Sequence, residues 1–196
     1  MTKKTKLKRA VFLDRDGTIN HMVYYHEHGI VDSPFIPSQF RLLPRVIPAL
    51  RLMQKKGFLL VLVSNQPGIA KGNIRKKDFE AINEKMDVLL ARGGVKLDAK
   101  HYSFFHKDAI SEDYRKGAHL RKPRPGMILE AAKRHNIDVR HSYMIGDGVV
   151  DIKAGKAAGC QTVFLGNLKP ELWRYFEDAM PDIVCRDLFD AAKKIR

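Results

Sequence analysis

Val11-Phe12-Leu13-Asp14-Arg15-Asp16-Gly17-Thr18 is an apolar run that ends in two carboxylates separated by one residue. Short apolar runs of this kind read as strands buried on both faces, the form strands take in parallel sheets. Open sheets of that type gather ligands at the carboxyl ends of their strands, which is where Asp14 and Asp16 fall. Asp-Gly and Gly-Thr are also ordinary turn chemistry, so the pair alone does not separate a turn from a reaction centre. Three further polar groups tip the reading toward chemistry. Val61-Leu62-Val63 leads into Ser64-Asn65-Gln66, Arg121-Lys122-Pro123 opens a helix, and Tyr143-Met144-Ile145 leads into Gly146-Asp147-Gly148-Val149-Val150-Asp151.

Working outward, apolar residues recur at helical spacing at Val46, Leu50 and Met53, ending at Gly57, and at Phe79, Ile82, Met86 and Leu89, ending at Gly93-Gly94. A third helix is expected around Ile128 to His135. Short apolar strands are expected at Phe58–Val63, His101–Phe105, Ser142–Ile145, Thr162–Leu165 and Ile183–Cys185. Strands alternating with helices imply an α/β fold, a doubly wound, Rossmann-like parallel sheet flanked by helices, with right-handed crossovers. The intervals from Asp14 to Ser64 and from Ser64 to Lys122 are largely consumed by core elements, so no separate cap domain is expected. The site is then roofed only by the loops His21–Phe40 and Lys107–Arg121. A basic tail over residues 1–9, expected to fray, precedes a single domain over residues 10–196.

The 196 residues suit one domain, and no apolar run reaches the roughly eighteen residues of a membrane span. The N-terminal lysines are not followed by a hydrophobic segment with a cleavage site, so a cytoplasmic protein is expected. Cys160 and Cys185 then read as reduced core thiols. The formal net charge of +14 keeps nucleic-acid binding open as another class of function. The basic residues are scattered and little interleaved with aromatics, which favours steering of small anionic substrates instead. Two other motifs carry little. His26-Glu27-His28 lacks a third metal partner in reach, although it can lie over the site entrance, and Gly155-Lys156 is followed by Ala157 where a phosphate loop needs Ser or Thr.

The four polar segments together resemble the haloacid dehalogenase superfamily of phosphohydrolases, in the family order and across nearly the whole chain. Asp14 to Thr18 matches its first motif, Ser64 its second, Lys122 its third and Gly146 to Asp151 its fourth. The resemblance implies phosphomonoester hydrolysis with Asp14 as nucleophile, forming an aspartyl-phosphate, and Asp16 as general acid and base. Ser64 and Lys122 would stabilise the phosphoryl oxygens. Mg²⁺ would be held by Asp14, the Asp16 main-chain carbonyl and Asp147. Asp151 would join through a water on the metal or by orienting Lys122.

The wording Phe12 to Asn20, Ser64 to Gly72 and Arg121 to Met127 is similar to the heptose-bisphosphate phosphatases and the related histidinol-phosphate phosphatase domains. That likeness implies a sugar bisphosphate such as D-glycero-D-manno-heptose 1,7-bisphosphate, with Asn65, Gln66 and Arg121 toward the substrate. Histidinol phosphate and a nucleic-acid 3′ end are the alternative substrates. Such enzymes usually carry a zinc clamp before the third motif, but Phe104-Phe105-His106 and Ala118-His119-Leu120 stand here. Two histidines cannot complete a tetrahedral site, so no structural zinc is expected, and Phe104 and Leu120 are expected to close the loop by apolar contact. Gly148 also stands where a substrate-reaching Lys is frequent. No nucleic-acid or membrane partner is expected, and the chain is expected to be a monomer.

Overall fold

In the computed structural model, which describes residues 7–176 and 179–196, β1 (Ala10–Leu13) lies at the centre of a parallel sheet. Phe12 sits opposite Val61 of β4 (Leu59–Asn65) on one side and Met144 of β6 (Tyr143–Gly146) on the other. Beyond β4 comes β5 (Ala99–Ser103), and beyond β6 come β7 (Gln161–Leu165) and β8 (Ile183–Cys185). The order β5-β4-β1-β6-β7-β8 runs outward in opposite directions from β1. The chain therefore switches direction beside β1, and the crevice above that point is where an open sheet offers a ligand site.

Alternation along β1 assigns the two faces. Val11 and Leu13 point into a cluster with α1 (Val46–Lys55), α2 (Lys76–Arg92) and α6 (Leu188–Lys194), while Ala10 and Phe12 point into one with α3 (Gly126–His135) and α4 (Val149–Ala158). The same period of two divides Leu60 and Leu62 from Val61 and Val63 on β4. A smaller cluster joins Ile152 and Phe164 to Phe176 of α5 (Pro170–Phe176). This is the doubly wound architecture that the strand–helix alternation implies.

Three details depart from the sequence reading. The His21–Phe40 segment is not only loop: Val23–Tyr25 (β2) and Ile30–Asp32 (β3) pair antiparallel around a turn in which Gly29 has φ of +62°. β5 ends at Ser103, two residues before Phe105, and begins at Ala99. Just before it, Asp98 receives the Leu60 amide on its side chain at 2.8 Å and donates its own amide to the Leu60 carbonyl at 2.8 Å. Of the tail expected over residues 1–9, residues 1–6 lie outside the described residues. Lys8 donates its amide to Asn136, and the Arg9 guanidinium bonds the carbonyls of Lys56 and Arg196 and lies 4.5 Å from the Phe58 ring centre.

α4 packs on the sheet unusually closely. A Cβ at Gly155 would lie 2.6 Å from the Met144 side chain and 2.7 Å from Thr162. Gly155→Ala should therefore lower stability by about 1–3 kcal/mol through overpacking, read as a fall in the thermal midpoint. An unchanged midpoint would show that the helix can lift off the sheet at no cost.

Candidate active site

Each strand ending at the crevice delivers one part of the site. β1 carries Asp14 and Asp16 just past its end, β4 carries Ser64 and Asn65 in its last two positions, and β6 is followed at once by Asp147. The segment before α3 brings Lys122, and the first turn of α4 brings Asp151. These residues line one cavity of about 240 Å³, together with Met22, Asp32 and Ser33 from the hairpin.

Lys122 ties the parts together. Its ammonium lies 2.8 Å from Asp14 Oδ1 and 2.6 Å from Asp151 Oδ1, and donates to the Val63 carbonyl at 2.9 Å. The residue is 2% exposed. Burial alone would lower its pKa, but the charges of Asp14 and Asp151 outweigh burial and hold it above the usual lysine range. Asn65 fixes the backbone beneath it: Asn65 Oδ1 accepts the Lys122 amide and Nδ2 donates to the Lys122 carbonyl, both at 3.0 Å. Asp151 is committed on its second oxygen as well, accepting the Gly148 amide at 3.0 Å. Of the two roles open to Asp151, this geometry displays the orienting of Lys122.

Two glycines allow the carboxylates to crowd. Gly17 has φ of +83°, and a Cβ there would stand 2.0 Å from Asp147 Oδ2; a Cβ at Gly146 would stand 2.3 Å from Asp151 Oδ2. Asp14, Asp147 and Asp151 each offer an oxygen within 4.8 Å of the others, and among the described residues this is the cluster able to hold a metal ion. Burial, then the charge of Asp14, pushes Asp147 up to about 6. All-oxygen donors carrying unbalanced negative charge fit a hard divalent cation.

Other expected site residues fall differently. Ser64 lines the cavity, and its Oγ accepts from Gln66 Nε2 at 3.0 Å, leaving its hydroxyl proton free for a further acceptor. Gln66 itself is buried and does not line the cavity. Its Nε2 also donates to Asp16 Oδ2 at 2.6 Å, and its Oε1 accepts from Arg15 at 2.9 Å. Arg121 Nη1 donates to the Phe105 carbonyl at 3.0 Å and is not among the cavity residues. His26 and His28 do not reach the cavity, His26 stacking edge-on against Tyr24, and the segment 107–121 does not line it either.

That segment is held by aromatic, apolar and polar contacts. Phe104 meets Phe79 and Tyr114 edge-on at 5.2 and 6.2 Å, Leu120 packs against the α3–α4 cluster, and Arg115 donates to the Ala109 carbonyl. Where zinc ligands would stand, His106 Nδ1 accepts the Asp108 amide at 3.2 Å and His119 lies 3.8 Å from Glu130. Sequence reasoning missed Arg15, which is fully buried against Asp16, and Asn20, whose Nδ2 donates to Asp16 Oδ1 at 2.9 Å. An Arg between two acids reads as solvated charge, and nothing in the spacing marks it as buried.

The sheet order, the acid pair after β1 and the lysine held between two carboxylates define a haloacid dehalogenase-type hydrolase. A family model described as HAD-hydrolase-like matches residues 119–191. The chain is 40% identical to a D-glycero-beta-D-manno-heptose-1,7-bisphosphate 7-phosphatase of Photorhabdus laumondii, over 95% of both chains. It is 38% identical to the Escherichia coli K12 enzyme of that name, over 95% of this chain and 93% of the other. The solved D,D-heptose 1,7-bisphosphate phosphatase of B. bronchiseptica, complexed with magnesium and phosphate, superposes with a TM-score of 0.75 at 26% identity, over 95% of this chain and 97% of that one. The chain belongs to this heptose-bisphosphate phosphatase family of the haloacid dehalogenase superfamily, and it is a phosphatase.

The Asp147 shift fixes a pH dependence. A carboxyl that holds its proton more tightly folded than unfolded contributes stability at low pH, and that contribution is lost as pH rises from 3.8 through about 6. A divalent cation favours the ionised form, so Mg²⁺ should raise the thermal midpoint more near pH 8 than near pH 5. Below about pH 6 its apparent affinity should fall by up to about tenfold per pH unit, for one displaced proton. Equal midpoint shifts at both pH values would remove Asp147 from the ligand set.

Proposed function

We propose that this phosphatase removes one phosphate from a sugar bisphosphate of the D-glycero-D-manno-heptose 1,7-bisphosphate type, through a phosphoryl group carried on Asp14. The observation that supports it most is the Asp14 carboxylate at the cavity wall, held at 2.8 Å by a lysine that is itself anchored by Asp151. An oriented carboxylate beside a fixed cation is what covalent phosphoryl transfer requires of a protein.

In this reading an Asp14 oxygen attacks phosphorus while the bond from phosphorus to the leaving oxygen breaks. Asp16 gives that oxygen its proton, then takes one from the water that hydrolyses the aspartyl-phosphate. Ser64 donates its hydroxyl to a non-bridging oxygen, and Lys122 offsets the charge spreading over those oxygens. The Asp14 and Asp147 carboxylates and the Asp16 main-chain carbonyl would hold Mg²⁺, which would supply positive charge against the phosphate. Asp151 serves this set by its hold on Lys122, and Asn65 by fixing the Lys122 backbone. Arg121 is assigned to the part of the substrate beyond the reacting phosphate.

The relatives' names favour the heptose bisphosphate over histidinol phosphate or a nucleic-acid 3′ end, and the net charge of +14 then serves to steer a polyanionic small molecule. The two unpaired, buried cysteines accord with a reducing cytosol.

Asp14→Asn should abolish turnover with the fold retained and should weaken the Mg²⁺-dependent stabilisation. Near-normal turnover would remove Asp14 as nucleophile. In a panel of heptose 1,7-bisphosphate, histidinol phosphate and a 3′-phosphorylated oligonucleotide, the bisphosphate should give the highest kcat/KM. Preference for either of the others would replace the substrate assignment. Metal analysis of the purified enzyme should find no tightly held zinc, since the clamp positions provide only two ligating side chains.

A further inference from the structure

Both oxygens of Asp16 are gripped from behind the cavity. Arg15 Nε lies 3.2 Å from Oδ1 and 3.1 Å from Oδ2, and Arg15 Nη2 lies 3.2 and 3.0 Å from the same pair. Gln66 Nε2 donates to Oδ2 at 2.6 Å and Asn20 Nδ2 to Oδ1 at 2.9 Å. Arg15 and Gln66 also bond each other at 2.9 Å, closing a ring with Asp16. That ring fixes the Gln66 amide: its oxygen must face the guanidinium and its nitrogen the carboxylate. Arg15 is fully buried, Gln66 is 4% exposed, and neither lines the cavity, whereas Asp16 does.

We propose that Arg15 and Gln66 are positioning residues for Asp16, setting the rate of proton transfer to the leaving oxygen and from the attacking water without touching substrate. Burying a guanidinium is costly unless its charge is matched, and the match here is the side chain that the reaction needs held still. Because Arg15 reaches both oxygens, either one can carry a proton while Arg15 keeps the other. Gln66 adds a link to the phosphate end, since it also donates to Ser64 Oγ. A phosphoryl oxygen that accepts the Ser64 proton polarises that hydroxyl and strengthens the Gln66 bond behind it, which fixes the Gln66 amide in place when substrate is seated.

This proposal rests on Asp16 as the acid and base, and a leaving-group comparison separates the two claims. Expulsion of an alkoxide needs the proton, whereas expulsion of an acidic phenol, as from para-nitrophenyl phosphate, needs it far less. Arg15→Lys keeps the charge and loses the fork; Gln66→Met keeps the approximate bulk, adds no charge, and loses the bond to Arg15 and the donor to Asp16. Each should lower kcat on the alkyl bisphosphate by about ten- to a hundredfold, within the range that acid–base catalysis spans, with KM within about twofold. The loss in kcat/KM on para-nitrophenyl phosphate should be at least about tenfold smaller. Equal losses on both esters, or none on either, overturn the proposal. Asp16→Asn is the control: if it too shows no dependence on leaving group, the acid–base reading of Asp16 fails rather than the positioning claim. Should Arg15→Lys not fold, Gln66→Met, close in volume and uncharged, carries the comparison alone.

Discussion

The site depends on one buried ammonium. Lys122 is surrounded by two carboxylates and a carbonyl at hydrogen-bond distance, so all three of its protons are spoken for by the protein. A lysine in that position without its partners would lose its charge or unfold its surroundings. With them it joins β1, β4 and α4, three elements distant in sequence, at one point. The strand ends could diverge with the natural twist of a parallel sheet, and this contact holds Asp14 and Asp151 at the same nitrogen. Asn65, reading both backbone groups of Lys122, extends the same constraint into the loop before α3.

The segment that delivers Lys122 must itself be anchored, and here the anchoring is aromatic and polar. Phe104 sits against Phe79 and Tyr114, Ile110 donates its amide to Ala70, and Arg115 and Arg121 donate to carbonyls of the segment. Gly126 is part of this closure, since a Cβ there would stand 2.3 Å from the His119 carbonyl oxygen. Distributed contacts of this kind tie the loop to α2, to α3 and to the segment after β4. They also occupy Arg121, one of the residues that the family likeness implies toward the substrate.

How much of this was legible in the sequence follows from the range of each interaction. β1, β4, β6, β7 and β8 are continuous apolar runs, and their ends carry the polar residues, so both the sheet and the positions of Asp14, Ser64 and Asp147 could be read locally. β5 could not be placed as well: Lys100 is exposed, Phe104 and Phe105 drew the expectation two residues on, and the register is set by Asp98 through a bond to Leu60 on another strand. The hairpin leaves a signal in the sequence, Val23-Tyr24-Tyr25 and Ile30-Val31 on either side of a Gly-containing turn, although each run is too short and too exposed to stand out from a loop. α6 had its own, Asp187 as N-cap before an apolar stripe. Arg15 and Gln66 left none, because a buried polar ring closes only when β1 and β4 are side by side.

Charge explains why the site is built with so many carboxylates although its substrate is an anion. Asp14, Asp16, Asp147 and Asp151 face two buried cations, Arg15 and Lys122, so the protein alone is short of positive charge where phosphate must enter. Two unit charges about 4 Å apart at an effective dielectric of about 20 interact by about 4 kcal/mol, enough to bar a phosphate from a bare acidic cluster. Burial first, and then the charge of Asp14, raises Asp147 to about 6, so the crowding of carboxylates contributes to that rise. A divalent cation would remove the shortage of positive charge and would be held because that shortage exists, so ion and substrate would favour each other's binding. On the function proposed above, the basic exterior would act at longer range, raising the local concentration of polyanions without entering the chemistry. Selection of the reacting phosphate would then fall to the buried, unbalanced cluster, and arrival to the +14 charge of the whole chain.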